Sequence, residues 1–175
     1  KAKLVIGVEA MPEFVSSFVD LGGVSGQLGW GREHDVFNVD DTKIGPAICY
    51  EALYSDYFAG FVRKGAEVMT VISNDGWWGN TPGYKQHLSY ASLRAIETRR
   101  AIARCANTGI SAIISPSGEI TQPTPWWEPA VIKGEIPLRD DITFYVAHGD
   151  ITGRLCTFIF ILLLMALGVR FVTKR

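Results

Sequence analysis

Cys49 closes an apolar run, Ile44-Gly45-Pro46-Ala47-Ile48, and leads into Tyr50-Glu51 and then a helical pattern. A thiol at such a junction lies at the carboxyl end of a strand, beside the free N–H groups of the next helix. A thiolate or a developing oxyanion is favoured there. The competing reading is a buried core cysteine, since free Cys is among the most buried residue types. Acyl transfer through a thiol needs the thiolate, a cation to hold negative charge and a base to move protons. Lys and Glu can supply the last two. The chain has three cysteines, odd in number and widely spaced, so they make no disulfide framework. Cys105 is expected in the core and Cys156 in an apolar C-terminal run, which leaves Cys49 to carry the chemistry.

Five further segments accompany it in order: Lys1-Ala2-Lys3-Leu4-Val5-Ile6-Gly7-Val8-Glu9; Ile72-Ser73-Asn74-Asp75-Gly76-Trp77-Trp78-Gly79; Gln86-His87; Arg94-Ala95-Ile96-Glu97-Thr98-Arg99; and Asn107-Thr108-Gly109-Ile110-Ser111-Ala112. With the Cys49-Tyr50-Glu51 segment they resemble the carbon-nitrogen hydrolase (nitrilase) superfamily. More narrowly they resemble the apolipoprotein N-acyltransferases, membrane enzymes that add the third acyl chain to bacterial lipoproteins. The resemblance implies an α/β fold, a nitrilase-like α-β-β-α sandwich, with this chain as its C-terminal half and one transmembrane helix following. It makes Lys1 the lysine that stabilises the tetrahedral intermediate and Glu9 a second active-site glutamate. One departure is Ile6, where family members usually carry Pro. The chain opens inside what resembles a family motif, so a C-terminal piece is expected, with the general-base glutamate upstream and this piece inactive alone.

Around the nucleophile, Tyr50 would offer a backbone N–H near the oxyanion. Glu51 could orient the loop or pair with Lys1, and a purely structural role stands equally for both residues. Asn74 and Asp75 end an apolar strand and are expected to tie the following loop to the backbone. Trp77 and Trp78 line a substrate cleft or fill core. His87 reads as a satisfied core or capping residue, and no neighbouring His or Cys gives metal spacing.

The elements that must position these residues follow from periodicity. Residues 10–35 are Gly-rich and irregular, a loop or lid. Strands are expected at 36–39, 44–48 and 67–73, the last apolar enough to be buried on both faces. Helices are expected at 53–64, with Leu53, Tyr57, Phe58 and Phe61 at helical spacing, and at 84–104, with Leu88, Ala91, Ala95 and Ile102 on one side. Strands at 110–115, 119–122 and 130–136 complete a sheet layered with helices. Trp126-Trp127, in a proline-bounded loop, is an interfacial anchor or ordinary loop packing.

With 47% apolar residues and net charge −1, the 175-residue chain has the composition of one globular domain with a sizeable core. The charge is balanced and scattered, which argues against nucleic-acid binding. Gly22-Gly23-Val24-Ser25-Gly26 lacks the ending of a phosphate loop. Residues 155–169 carry no charge, a run of about 15 that lies between a buried helix and a bilayer span. Arg154 and Arg170 can snorkel from its ends to lengthen it. Its apolar residues cover every side, which favours a transmembrane helix at 151–172 over a helix packed on the domain. Arg170, Lys174 and Arg175 follow it and Asp140, Asp141 and Asp150 precede it. Basic flanks prefer the cytoplasm. Residues 1–150 would then be extracytoplasmic catalytic domain on a bacterial inner membrane, and 173–175 a cytoplasmic tail.

The resemblance implies a ping-pong reaction. Cys49 takes an acyl chain from a phospholipid as a thioester, and the α-amine of a diacylglyceryl-cysteine lipoprotein accepts it, with no metal or diffusible cofactor. Two alternatives remain: a membrane-tethered amidase or nitrilase-type hydrolase, and a catalytically silent, membrane-tethered binding domain. A half-sandwich would expose apolar sheet and should aggregate.

Overall fold

The computed structural model describes residues 34–173. Lys1, Glu9 and most of the expected Gly-rich loop lie outside the described residues. Within them a six-stranded mixed sheet runs in sequence order: β1 (Phe37–Val39), β2 (Thr42–Ile48), β3 (Val68–Ser73), β4 (Ile102–Ala106), β5 (Ala112–Ile114) and β6 (Ile120–Thr121). The pairs β2/β3 and β3/β4 are parallel, and the outer pairs are antiparallel.

Parallel neighbours require crossovers. From β2 the chain passes through a 3-10 turn, Cys49–Leu53, into α1 (Ser55–Arg63). From β3 it passes through a second 3-10 turn, Asp75–Trp78, into α2 (Gly83–Thr98). Both helices cover one face of the sheet. Ala47, Met69, Val71, Ile102 and Ile114 meet Phe58, Val62, Leu88 and Ala91 there in a single core. The opposite face carries Ile48, Ile72 and Cys105 side by side in register, and Ile72 is 52% exposed. The described residues thus supply one sheet and one helical layer, with apolar side chains on the bare face.

Three expectations need correction. The helix expected to reach 104 stops at Thr98, because Arg99 turns left-handed at φ 52°, and Ile102–Ala106 becomes β4, pairing with β3 from Met69↔Ile102 onward. A helical stripe that included Ile102 was therefore misread; the pairing with β3 outweighs local propensity. Cys105 is exposed rather than core, because the two-residue period of β4 turns Arg104 and Ala106 inward and Cys105 to the bare face. Residues 130–136 form no strand. Gly134 still passes close to Ile113 and Gln122, but the run makes no ladder with β6, and an extended run without a ladder partner is not a strand.

After this segment, α3 (Phe144–His148) docks on the ends of α1 and α2. Val146 is fully buried and its carbonyl accepts from Arg63 Nε at 2.8 Å. Thr143 caps α3 by accepting from Val146 N, and its hydroxyl donates to Glu97 O at 2.6 Å. Only Gly149 and Asp150 then separate α3 from α4 (Ile151–Thr173), whose first turn is capped by Asp150 accepting from Gly153 N at 2.7 Å. Ile151–Phe171 is long and apolar enough to cross a membrane, and none of it is buried against the domain.

At Gly45, β2 and α1 approach so closely that a Cβ would lie 2.5 Å from Met69 Sδ and 2.9 Å from Phe61 Cβ. Gly45→Ala should cost about 1–3 kcal/mol by overpacking. A lower denaturation midpoint at unchanged slope will show it.

Candidate active site

The carboxyl ends of β2 and β3 lie side by side, and each hands on to a 3-10 turn instead of entering a helix directly. Ligands of open α/β sheets bind at such strand ends. Cys49 is the first residue after β2. It is 7% exposed and holds φ at +51°, a left-handed conformation that costs a non-glycine residue roughly 1–2 kcal/mol. Such strain persists only where surrounding contacts enforce it.

Those contacts come from both sides. Upstream, buried Glu51 reaches back so that its Oε2 accepts from Ile48 N at 2.7 Å, while Oε1 accepts from the Tyr57 hydroxyl at 3.1 Å. This is the carboxylate half of a capping box. Burial, followed by the Glu51 charge and hydrogen bond, pushes the Tyr57 phenol up to about 12, so it remains a donor. Downstream, His87 Nε2 lies 3.1 Å from the Cys49 carbonyl oxygen. At the sulfur, Ser73 Oγ lies 3.5 Å from Sγ.

Beneath the cysteine these residues join one buried polar cluster. Asp75 Oδ1 accepts from Ser73 Oγ at 2.7 Å and lies 2.9 Å from His87 Nδ1, and Oδ2 accepts from Arg104 at 2.8 Å. Arg104 also donates to Ile110 O at 2.8 Å and approaches His87 Nδ1 at 3.1 Å. Burial raises the Asp75 pKa, but hydrogen bonds from His87, Ser73 and Arg104 and the Arg104 charge outweigh it and bring the carboxyl to about 2. Above the cluster, Tyr50 and Trp78 pack edge to face at 5.6 Å, and Trp78 packs on the His87 ring at 5.2 Å. Burial raises the Tyr50 phenol, with Cys49 and Asp75 adding to the effect.

The structure brings together Cys49, Tyr50, Glu51, Asn74, Trp77 and Trp78 at this edge. The two tryptophans divide: Trp78 turns inward and Trp77 is 47% exposed. Asn74 Oδ1 accepts from Gly76 N and from the Thr108 hydroxyl, both at 3.2 Å, tying two loops together. Glu51 orients the turn. Trp126 stacks on Tyr84 at 5.2 Å, the packing alternative, whereas Trp127 is exposed and its ring overlies Gly76 beside the site. Arg94 and Glu97 pair at 3.2 Å near the C-terminal end of α2, where Glu97 also holds α3. At 1.5 Å per residue they lie about 10 and 15 Å along the helix from His87.

Ser73, His87 and Arg104 escaped the sequence reading as a unit. The one available signal was His87 on the first turns of a helix beginning shortly after Asp75. Arg104 was hidden by the misread helix. Among the described residues, no group of His, Cys, Asp and Glu is arranged to hold a metal.

Residues 8–142 match the family model of carbon-nitrogen hydrolases. The chain belongs to that family. The mixed sheet agrees. Nit3 of Saccharomyces cerevisiae, a member of branch 10 of the nitrilase superfamily, superposes with a TM-score of 0.51 at 21% identity over 58% of this chain and 40% of that one. An amidase from Nesterenkonia sp. gives 0.50 at 16% identity over 69% and 46%. Among curated relatives, the apolipoprotein N-acyltransferase of Chlorobaculum tepidum is 38% identical over 154 residues, 84% of this chain and 29% of the relative. That of Thermotoga maritima is 33% identical over 153 residues, 86% and 30%. This carbon-nitrogen hydrolase family chain therefore spans less than a third of the length of those relatives.

Folding holds the Asp75 carboxyl at about 2 against an ordinary 3.8. A depressed carboxyl contributes stability that is complete above its unfolded pKa and is lost as pH falls through the folded one. Stability should therefore drop between about pH 4 and pH 2, and Asp75→Asn should flatten that drop. The same variant leaves Arg104 buried without its charge partner and should cost about 3–5 kcal/mol at neutral pH. Unfolding free energies measured at stepped pH for both proteins check both expectations.

Proposed function

We propose that this chain carries the nucleophile of an acyltransferase that N-acylates bacterial lipoproteins. The observation that supports it most is Cys49 itself, held left-handed at the carboxyl end of β2 and backed by a buried polar cluster. The chain's similarity to apolipoprotein N-acyltransferases over most of its length sets the choice of substrates. In the first half-reaction, Sγ attacks the ester carbonyl of a phospholipid. The S–C bond forms, the ester C–O bond breaks, and the thiol proton passes through a base to the departing lysophospholipid oxygen. In the second, the free α-amine of a diacylglyceryl-cysteine lipoprotein attacks the thioester. The N–C bond forms, the C–S bond breaks, and a proton returns to sulfur.

The role assignments are part of the proposal. Cys49 is the nucleophile and Lys1 the cation for the tetrahedral oxyanion. Glu9 is a second active-site carboxylate, Tyr50 N–H an oxyanion donor, and Glu51 and Asn74 hold the turn and loop. Trp77 and Trp78 border the cleft. The general base is assigned to no residue of this chain, and the chemistry calls for no metal or cofactor.

α4 supports placing the reaction at a bilayer, because both substrates are lipids and the helix is apolar on all sides. Residues 1–150 form the catalytic part, 151–172 the span and 173–175 the tail. The flanking charges favour residues 1–150 on the extracytoplasmic side of the inner membrane. A membrane-tethered amide hydrolase is the second reading, favoured by the family's own chemistry.

Incubation of the intact protein with phospholipid vesicles, followed by intact-mass analysis, separates the readings. The expected product is an adduct of one fatty-acyl chain on Cys49, removed by hydroxylamine and transferred to an added diacylglyceryl-cysteine peptide. Cys49→Ala should abolish the adduct and lower turnover by about 10⁴-fold or more. Hydrolysis of a simple amide with no adduct would replace the transferase by the hydrolase. Neither activity would leave a binding domain.

A further inference from the structure

We infer that His87 is a positioning residue for the oxyanion site, acting through the peptide that joins Cys49 to Tyr50; this rests on Cys49 being acylated as proposed above. The inference starts from which ring nitrogen must carry a proton. Nε2 faces a carbonyl oxygen at 3.1 Å, an acceptor only, so a hydrogen is required there. On the other side, Nδ1 lies 2.9 Å from the Asp75 carboxylate and 3.1 Å from an Arg104 guanidinium nitrogen. In the imidazolium, Nδ1 donates to Asp75. In the neutral ring it accepts from Arg104. Both forms keep Nε2–H pointed at Cys49, although the neutral one also turns an Nδ1 lone pair towards Asp75 Oδ1; the tautomer without a hydrogen on Nε2 would lose the bond to the Cys49 carbonyl. Asp75 and Arg104, paired at 2.8 Å and themselves buried, hold the ring from its Nδ1 side.

The consequence follows from the peptide plane. A trans peptide is flat, with C=O and N–H on opposite sides, and the described residues contain no cis peptide. A hydrogen bond that draws the Cys49 carbonyl down towards the helix layer therefore turns the Tyr50 N–H the opposite way. On this reading the acyl group approaches the nucleophile from that side. Among the described residues, no other hydrogen bond to this peptide's oxygen competes with His87. The left-handed φ of Cys49 makes the peptide dependent on such a tether, because without it the residue gains by relaxing towards ordinary backbone angles. Glu51, bonded to Ile48 N, holds the Ala47–Ile48 peptide and not this one.

An oxyanion donor matters for attack at a carbonyl and not for simple alkylation of sulfur, which separates this role from general support of the core. The experiment uses the intact protein with two probes, p-nitrophenyl butyrate and iodoacetamide, each read as modification of Cys49 by mass. His87→Gln keeps an N–H that can reach the Cys49 carbonyl, and His87→Asn is too short to reach it. Loss of one such donor is worth about 10²–10³-fold in rate. His87→Asn should therefore acylate at least about 10²-fold more slowly than wild type, yet alkylate within about threefold of it. His87→Gln should recover most of the acylation rate. Equal losses with both probes, or acylation of His87→Asn at the wild-type rate, would overturn the inference. So would failure of both variants to fold, since His87 would then serve the core and not the peptide. Absence of acylation in the wild type would instead remove the Cys49 reading, and this one with it.

Discussion

The left-handed backbone at Cys49 is the constraint on which the rest of this structure depends. A non-glycine residue in that conformation is unfavourable by itself, so the neighbourhood must supply more than the strain removes. Two buried side chains do so from opposite sides: Glu51 on the Ala47–Ile48 peptide upstream of the cysteine and His87 on the peptide after it. Each is held by a further partner, Tyr57 for Glu51 and the Asp75–Arg104 pair for His87. Cys49 is therefore attached to the helix layer through α1 and α2 and to the sheet through β3 and β4.

This arrangement explains why a charged cluster is tolerated at the centre of a small domain. Burying Asp75 and Arg104 is costly unless each charge is met by another and by hydrogen bonds. Here Asp75 receives a donor from Ser73, from Arg104 and, in the charged form of the ring, from His87, while Arg104 also reaches the Ile110 carbonyl. Packing alone would give a similar sheet. The polar cluster adds direction: it distinguishes one orientation of the 3-10 turn from others of equal volume. The apolar helix α4 is joined to the domain without a linker, through α3 and its bonds to Arg63 and Glu97. Any surface that α4 enters is thereby set in a defined relation to the sheet.

Much of the scaffold was legible because its signals are local. The β2 and β3 runs, the helical spacing of Tyr57, Phe58 and Phe61, and the all-round apolar character of 151–172 each follow from residues a few positions apart. Cys49 was legible as the candidate nucleophile only through the motifs around it, since a lone Cys ending an apolar run is as readily a core residue. The end of α2 was not. Ile102 continues the helical stripe in sequence, and only a strand already in place at 68–73 gives it a better partner. The same error concealed Arg104, and the core reading of Cys105 failed because the two-residue period of β4 sends Arg104 inward and Cys105 outward.

The sequence by itself determined the class of fold, the cysteine, and the order of the motifs around it, because these are carried by composition, period and spacing along the chain. Tertiary structure decided what backs the cysteine. Ser73, Asp75, His87 and Arg104 come from two strands, a turn and a helix, and no spacing in the chain connects them. Their association depends on the parallel register of β3 with β4 and on the docking of α2, which are long-range pairings. A single His87 read in sequence is a core or capping residue. Only the fold brings its Nε2 to the carbonyl of Cys49 and makes it part of the site.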